Sequence, residues 1–212
     1  MMRYAKGHKE ETRRAILEKA AYRFRQDGIN AVGIKTLMSD AGLTHGGFYA
    51  HFRSRDALVA EAAEEALRRT YERLKSVTAN AEPERRLDAF VAGYLSPQHF
   101  EDMSGGCAGA ALAPEIARED EETRRRFTRG IERIVEYLAD LLPAGGTDAD
   151  RHERAHSIFA LMMGSVQLAR IAVDRRSARS ILAGAKASAL AMAETPWAGA
   201  EPARRGQAIA SA

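Results

Sequence analysis

Apolar residues recur along this chain at intervals of three and four from one end to the other, the period of helices with one buried face. No stretch combines strict alternation with the β-branched density of strands, so the pattern predicts an all-α fold. Ile16, Leu17, Ala20, Ala21 and Phe24 share one face of a first helix over 12–26, closed by Gly28, because a left-handed C-terminal residue costs least as glycine. A short second helix over 34–41 ends at Gly42, and a very short third covers 45–51. Ser54 is placed to cap a fourth, carrying Leu58, Ala62, Leu67, Tyr71 and Leu74 to about Val77. Asp56 falls in its first turn, where a carboxylate suits the helix dipole.

The segment Thr78-Ala79-Asn80-Ala81-Glu82-Pro83 reads as a hinge between an N-terminal head and a C-terminal body. Beyond it the period predicts helices over 85–95, 107–117, 119–142, 150–173 and 177–193, with breaks at 96–106 and 143–146. The helix over 150–173 is apolar nearly all round from Ile158 to Val173, which implies burial on more than one side. These spans divide the chain into a head at 10–70, with a helix-turn-helix at 33–52, a body at 80–193 and a loose tail at 194–212.

A length of 212 residues allows one domain or one plus a small module, and 45% hydrophobic with 29% charged residues is a globular balance. No apolar run approaches the ~18 residues of a membrane span. The charged start, Met1 to His8, leads into no apolar core and is not a secretory signal. The single cysteine, Cys107, has no internal partner. These features point to a soluble, cytoplasmic chain without a membrane partner. Net charge is only +3, but residues 1–55 hold 11 Lys/Arg against 5 Asp/Glu, while 56–212 hold 21 against 24. A basic head on a faintly acidic body suggests that the head binds a polyanion.

Two helices as short as those within 34–52, joined at Gly42, are not stable alone and make sense as a helix-turn-helix braced by the first and fourth helices. Thr44 is positioned as an N-cap, with Leu43 and Phe48 as a hydrophobic staple. Leu37, Leu43, Phe48 and Phe52 point inward, which leaves Thr44, His45, Gly47, Tyr49 and His51 on the outer side. The Thr44 hydroxyl, Tyr49, His51 and Arg55 suit phosphate contacts; His45, and after it Lys35, suits base-edge contacts. Gly46 and Gly47 each cost roughly 1 kcal/mol against alanine within a helix, and their use is close approach of backbone to a groove.

These residues resemble the DNA-binding head of the TetR/AcrR transcriptional regulators. The resemblance rests on Gly28, Ile34, Leu37, Ala41-Gly42-Leu43-Thr44, Gly46, Phe48-Tyr49, His51-Phe52, Ser54-Arg55-Asp56 and Leu58, and on Thr12-Arg13, Ile16-Leu17, Ala20 and Phe24 in the first helix. It covers about residues 10–70. It implies nine or ten helices, a two-fold dimer on a palindromic DNA operator, and phosphate-contacting roles for Thr44, Tyr49, His51 and Arg55. It also implies that the body dimerises and senses a small-molecule effector. The chain departs from the family at Gly33, where Ser or Thr is usual, at Arg55, where Lys is usual, and at Met38, where Ala is usual.

In the body, Phe90, Tyr94, Met103, Phe127, Phe159, Met163 and Gln167 are candidate lining for an apolar effector pocket with a few polar anchors, or simply core. Met162 and Met163 fit either a pocket wall or a dimer seam. The apolar helix ending at Val173 and the small residues Ala183, Ala187 and Ala191 of the last helix suit a four-helix dimer interface. Cys107, after Gly105-Gly106 at a helix start, is a candidate redox or electrophile switch, since free N–H groups there favour thiolate. His152-Glu153-Arg154-Ala155-His156 has the nominal form of a zinc-peptidase motif, yet it opens a helix after an Asp/Arg-rich loop and reads as a solvated face. The expectation is therefore a regulator, not an enzyme, with no metal and no cofactor.

Overall fold

A computed structural model of the chain describes residues 6–197; the expected tail from 198 to 212 lies outside the described residues. Nine α-helices are present among them: α1 Lys6–Asp27, α2 Ile34–Asp40, α3 Arg55–Ala79, α4 Arg86–Tyr94, α5 Pro97–Glu101, α6 Ala108–Ile116, α7 Glu121–Leu141, α8 Asp148–Ile171 and α9 Arg175–Glu194. Two 3₁₀ segments, His45–Ala50 and Pro83–Arg85, complete the order. The all-α expectation holds, with an N-terminal helix-turn-helix head and a C-terminal bundle.

Most helices start where a side chain satisfies an orphan N–H. Ser54 accepts from Ala57 N at 3.0 Å, Asp120 from Thr123 N at 2.7 Å and Asp174 from Ser177 N at 2.9 Å. Thr147 and Asp150 form a reciprocal capping box at α8. Helix α5 was expected to be a break. It forms because Ser96 caps it through His99 N and Pro97 fills the first turn, where a missing N–H costs nothing. Helix α1 starts at Lys6, before the apolar period begins at Ile16, so its first turns carry no amphipathic signal.

One apolar cluster runs unbroken from head to body. Helix α3 is its spine, packed against α1 in the head and against α4 and α7 in the body. Residues 78 and 79 of the expected hinge lie inside it, with Thr78 fully buried and bonded to the carbonyls of Leu74 and Lys75. At Gly130 the axes of α3 and α7 come so close that a Cβ would sit 2.7 Å from Leu67 Cδ1. Helices α8 and α9 pair at the far side of the body.

Residues 195–197, expected to be loose, are docked. The Arg154 guanidinium lies 3.5 Å from the Trp197 ring centroid and donates to the Thr195 carbonyl at 2.6 Å. The Trp197 indole lies against Gly145 and Gly146, where any Cβ would overlap it.

The turn after α2 fixes the angle of the helix-turn-helix. Gly42 N bonds to Ser39 O at 2.9 Å and Leu43 N to Met38 O at 2.8 Å, the paired bonds of a Schellman C-cap. Gly42 has φ +72°, and a Cβ there would meet open space, so a side chain would cost backbone energy alone. Gly42→Ala should lower stability by roughly 1–2 kcal/mol, and Gly42→Asn by less; thermal denaturation of the two variants measures the difference.

Candidate nucleic-acid interface

The sequence His45–Ala50 forms a six-residue 3₁₀ helix rather than an α-helix. Gly47 N bonds to Thr44 O at 3.0 Å and His51 N to Phe48 O at 2.9 Å. Its anchor is Phe48, fully buried, edge-on to Tyr49 and stacked on Phe52 at 5.7 Å. Arg13 of α1 lies 4.7 Å from the Phe52 ring, donates to the His51 carbonyl at 3.3 Å and pairs with Glu61 of α3. Arg23 bridges Asp27 and Asp40, tying α1 to the end of α2. Arg13 entered the sequence reading only as part of the first-helix resemblance and Arg23 not at all; their distance along the chain from their partners hid these contacts.

The outer face holds most of the expected residues. Lys35, Thr44, His45 and Gly46 are exposed, Gly47 is half-buried and Tyr49 is 65% exposed. Thr44 occupies the N-cap position, but its side chain makes no capping hydrogen bond, contrary to the capping expectation, so the hydroxyl is uncommitted. His51 is half-buried with Nδ1 unpartnered. Burial, then the charges of Lys9 and Arg13, holds its pKa below the usual histidine value, which favours the neutral imidazole. Arg55 donates to the Ile29 carbonyl at 2.6 Å and thereby pins the start of α3 to the loop after α1. Arg53, exposed beside it, is the freer cation and was missed because nothing in the motif distinguishes it.

Gly46 and Gly47 bear directly on what the face does. Neither has a positive φ. A Cβ on Gly46 would meet nothing within 4 Å, and one on Gly47 would make only ordinary contacts with Met38 Cε at 3.7 Å and Thr44 Oγ1 at 3.8 Å. The fold itself asks for neither glycine.

The body candidates are mostly packed core. Phe90, Tyr94, Phe127 and Phe159 are buried, and Met163 and Gln167 are half-buried, with Gln167 donating to the Ala110 carbonyl at 3.1 Å. Met103 is 39% exposed in the loop after α5, apart from the rest. A polar cleft of about 420 Å³ lies instead between the head and the start of α7, lined by residues including Arg53, Asp56, Glu61, Thr123 and Arg126; none of the seven candidates lines it.

Beside Tyr94 the core is unusually polar. The Tyr94 ring packs against Phe159 at 5.4 Å and His99 at 4.9 Å, and Arg73 donates to His99 Nδ1 at 2.7 Å. That bond fixes the proton on His99 Nε2, which is buried without a partner, as are Arg170 Nη1 and Nη2 and Arg25 Nη1. Burial, reinforced by Arg73 and Arg170, pushes His99 down to about 3. Burial likewise brings Arg25 down to about 10. An unpaired buried donor costs about 1–3 kcal/mol, and several are gathered here.

Cys107 caps α6, accepting from Ala110 N at 3.2 Å, with the Tyr94 hydroxyl 2.6 Å away. It is fully enclosed, and burial raises its pKa above the usual thiol value. Desolvation outweighs the helix start, so the expected thiolate is replaced by a thiol. His152 and His156, expected on a solvated face, both meet Glu132 of α7 at 3.1 Å.

A helix-turn-helix head with a bare outer face, set on a larger helical body, defines the class as a transcriptional regulator. Residues 16–62 match the family described as bacterial regulatory proteins, tetR family, and residues 83–184 match the tetracyclin repressor-like C-terminal domain. The chain belongs to the TetR/AcrR family of transcriptional regulators. It is 23% identical over 185 residues to the HTH-type transcriptional repressor NemR of Escherichia coli K12, covering 83% of this chain and 92% of that one. The crystal structure of reduced E. coli NemR superposes with a TM-score of 0.67 at 22% identity, over 84% of this chain and 96% of NemR. A TetR-family regulator from Cytophaga hutchinsonii gives 0.72 at 16% identity, over 87% and 96%. One from Chloroflexus aurantiacus gives 0.69 at 23%, over 85% and 95%. No helix among the described residues is long and apolar enough to cross a membrane.

The burial of Cys107 has a measurable consequence. In native protein its reaction with a disulfide reagent should run at least ~100-fold slower than in denaturant, because thiolate and access are both suppressed; following thiol release by absorbance in the two conditions checks this.

Proposed function

We propose that this chain is a dimeric, sequence-specific DNA-binding repressor that leaves a palindromic operator when a small molecule binds its body. One observation carries the DNA-binding part: Gly46 and Gly47 sit on an exposed face that the fold would let bear side chains. Their cost in helix stability is offset only if something outside the chain approaches that backbone closely. Duplex DNA fits, with Thr44 and Tyr49 on phosphates, His51 as a neutral donor or acceptor, and Arg53 and Arg55 supplying charge near the same strand. His45 and Lys35 face base edges. In this reading the chain works in the cytoplasm, with no cofactor and no catalytic step.

Dimerisation is supported by the outer side of α8 and α9. Leu168 and Ile171 stand exposed, Ile171 at 76%, and Ala183, Ala187 and Ala191 form an exposed row of small residues. A second copy laid across them completes a four-helix seam and sets two short helices about 34–36 Å apart, one turn of DNA.

Effector response is supported by the unpartnered donors around Tyr94 and Phe159. A small molecule with acceptor groups, entering among Phe90, Tyr94, Phe127, Phe159, Met163 and Gln167, would satisfy them. Helix α6 links that region to the head: Cys107 begins it, and Glu115 near its end accepts from Asn30 N at 3.2 Å in the loop after α1. A ligand that favours a shifted α6 biases the head spacing.

Two variants test the assigned face. Gly46→Ala should fold at least as stably as the wild type, since the added methyl meets open space, yet bind a selected operator duplex more weakly, by about tenfold or more. Tyr49→Phe should weaken binding without changing the melting temperature. Fluorescence anisotropy on duplexes enriched from random sequence reads both; undiminished affinity in the two variants would count against this face. Leu168→Arg combined with Ile171→Arg should convert the dimer to a monomer in sedimentation and abolish operator binding at low nanomolar protein.

A further inference from the structure

We infer that Glu132, His152 and His156 form a binding site for a divalent transition-metal ion of the zinc class, joining α7 to α8. The two histidines stand one helical turn apart near the start of α8, so their rings project from the same side. Their ring centroids are 4.8 Å apart. Both Nε2 atoms lie 3.1 Å from the Glu132 carboxylate, which comes from the middle of the neighbouring helix. One potential ligand atom from each residue falls within 4.8 Å of the other two.

That geometry is close to what zinc needs. A tetrahedral ion about 2.0–2.2 Å from its ligands sets them ~3.3 Å apart. An ion can therefore replace the two shared protons with small side-chain adjustments. Two imidazoles and one carboxylate suit zinc and its neighbours, whereas magnesium and calcium prefer oxygen throughout. The side chains are 43% and 33% exposed, which gives an entry path and leaves a fourth position to water. Competing cations are engaged elsewhere: Arg151 pairs with Asp148, and Arg154 lies over Trp197.

The site is not that of a peptidase. In a His-Glu-x-x-His enzyme the glutamate works as general base beside the metal. Here Glu153 is exposed and lines a different cleft with Arg154, Ser157, Met192 and Trp197, on the α9 side of α8. The third ligand comes from α7 instead, so the ion would fasten two body helices together without activating a substrate.

Full-length protein stripped with a chelator and titrated calorimetrically with zinc chloride alone should take up one ion per chain, with micromolar or tighter affinity, and melt at a higher temperature when loaded. Magnesium chloride should give no binding heat. The double variant His152→Gln, His156→Gln should lose both zinc uptake and the zinc-dependent rise in melting temperature. Glu132→Gln, which keeps a hydrogen-bonding side chain of the same size, should weaken binding by at least about tenfold. Because these side chains are partly exposed, the metal-free variants should melt close to the wild type. Absence of saturable zinc binding by the wild type, or binding unchanged in the double variant, would overturn the assignment. DNA affinity is not the readout, so this outcome is separate from that of the operator experiments.

Discussion

The outer face of the helix-turn-helix depends on a single apolar anchor. Six residues of 3₁₀ helix have too few hydrogen bonds to hold their own shape, and two of the six are glycine. What keeps His45–Ala50 in place is Phe48, sunk to zero exposure among Phe52, Met38 and the apolar face of α1. Full burial of such a ring contributes about 1.5–3 kcal/mol, comparable to the roughly 2 kcal/mol that the two glycines take away. The outer face can therefore be chosen for what it meets outside the protein, because the inner face alone supplies the structure.

The same economy links head and body. A single long helix, α3, belongs to both, and the apolar cluster passes through it without a gap. No floppy connector separates the two regions: they are joined through α3 and through the contact of α6 with the head. Glu115 holding Asn30 N, and Gly28 with φ +89° lying against that same carboxylate, make this loop one of the places where the body touches the head.

Periodicity exposed the helices because their stripes are local: Phe127, Ile134, Val135 and Leu138, the buried apolar residues of α7, all lie within that one helix. The ends were less legible. The polar first turns of α1 carry no stripe, and α5 was hidden because Ser96-Pro97 signals both the end of one element and the start of another. Within the site, Phe48, Tyr49, Gly46 and Gly47 could be read from sequence because the motif orders them along the chain. Arg13 over Phe52, Arg55 on Ile29 O and Glu132 beside two histidines could not, because each joins positions 20 or more residues apart. The free Thr44 hydroxyl was misread for a different reason: the residue suited to a cap stands at the cap position, but its side chain does not turn inward. Cys107 shows the limit of local electrostatics, where removal from water outweighs a favourable helix start.

Trp197 is the only tryptophan in the chain, and it rests on Arg154 of α8 just beyond the end of α9, against the loop that precedes α8. The chain thus carries one indole fluorophore, which can be excited apart from its six tyrosines, seated where its outermost pair of helices meets. Its emission isolates events at that corner from the rest of the fold, so rearrangement there can be followed optically without attaching a dye.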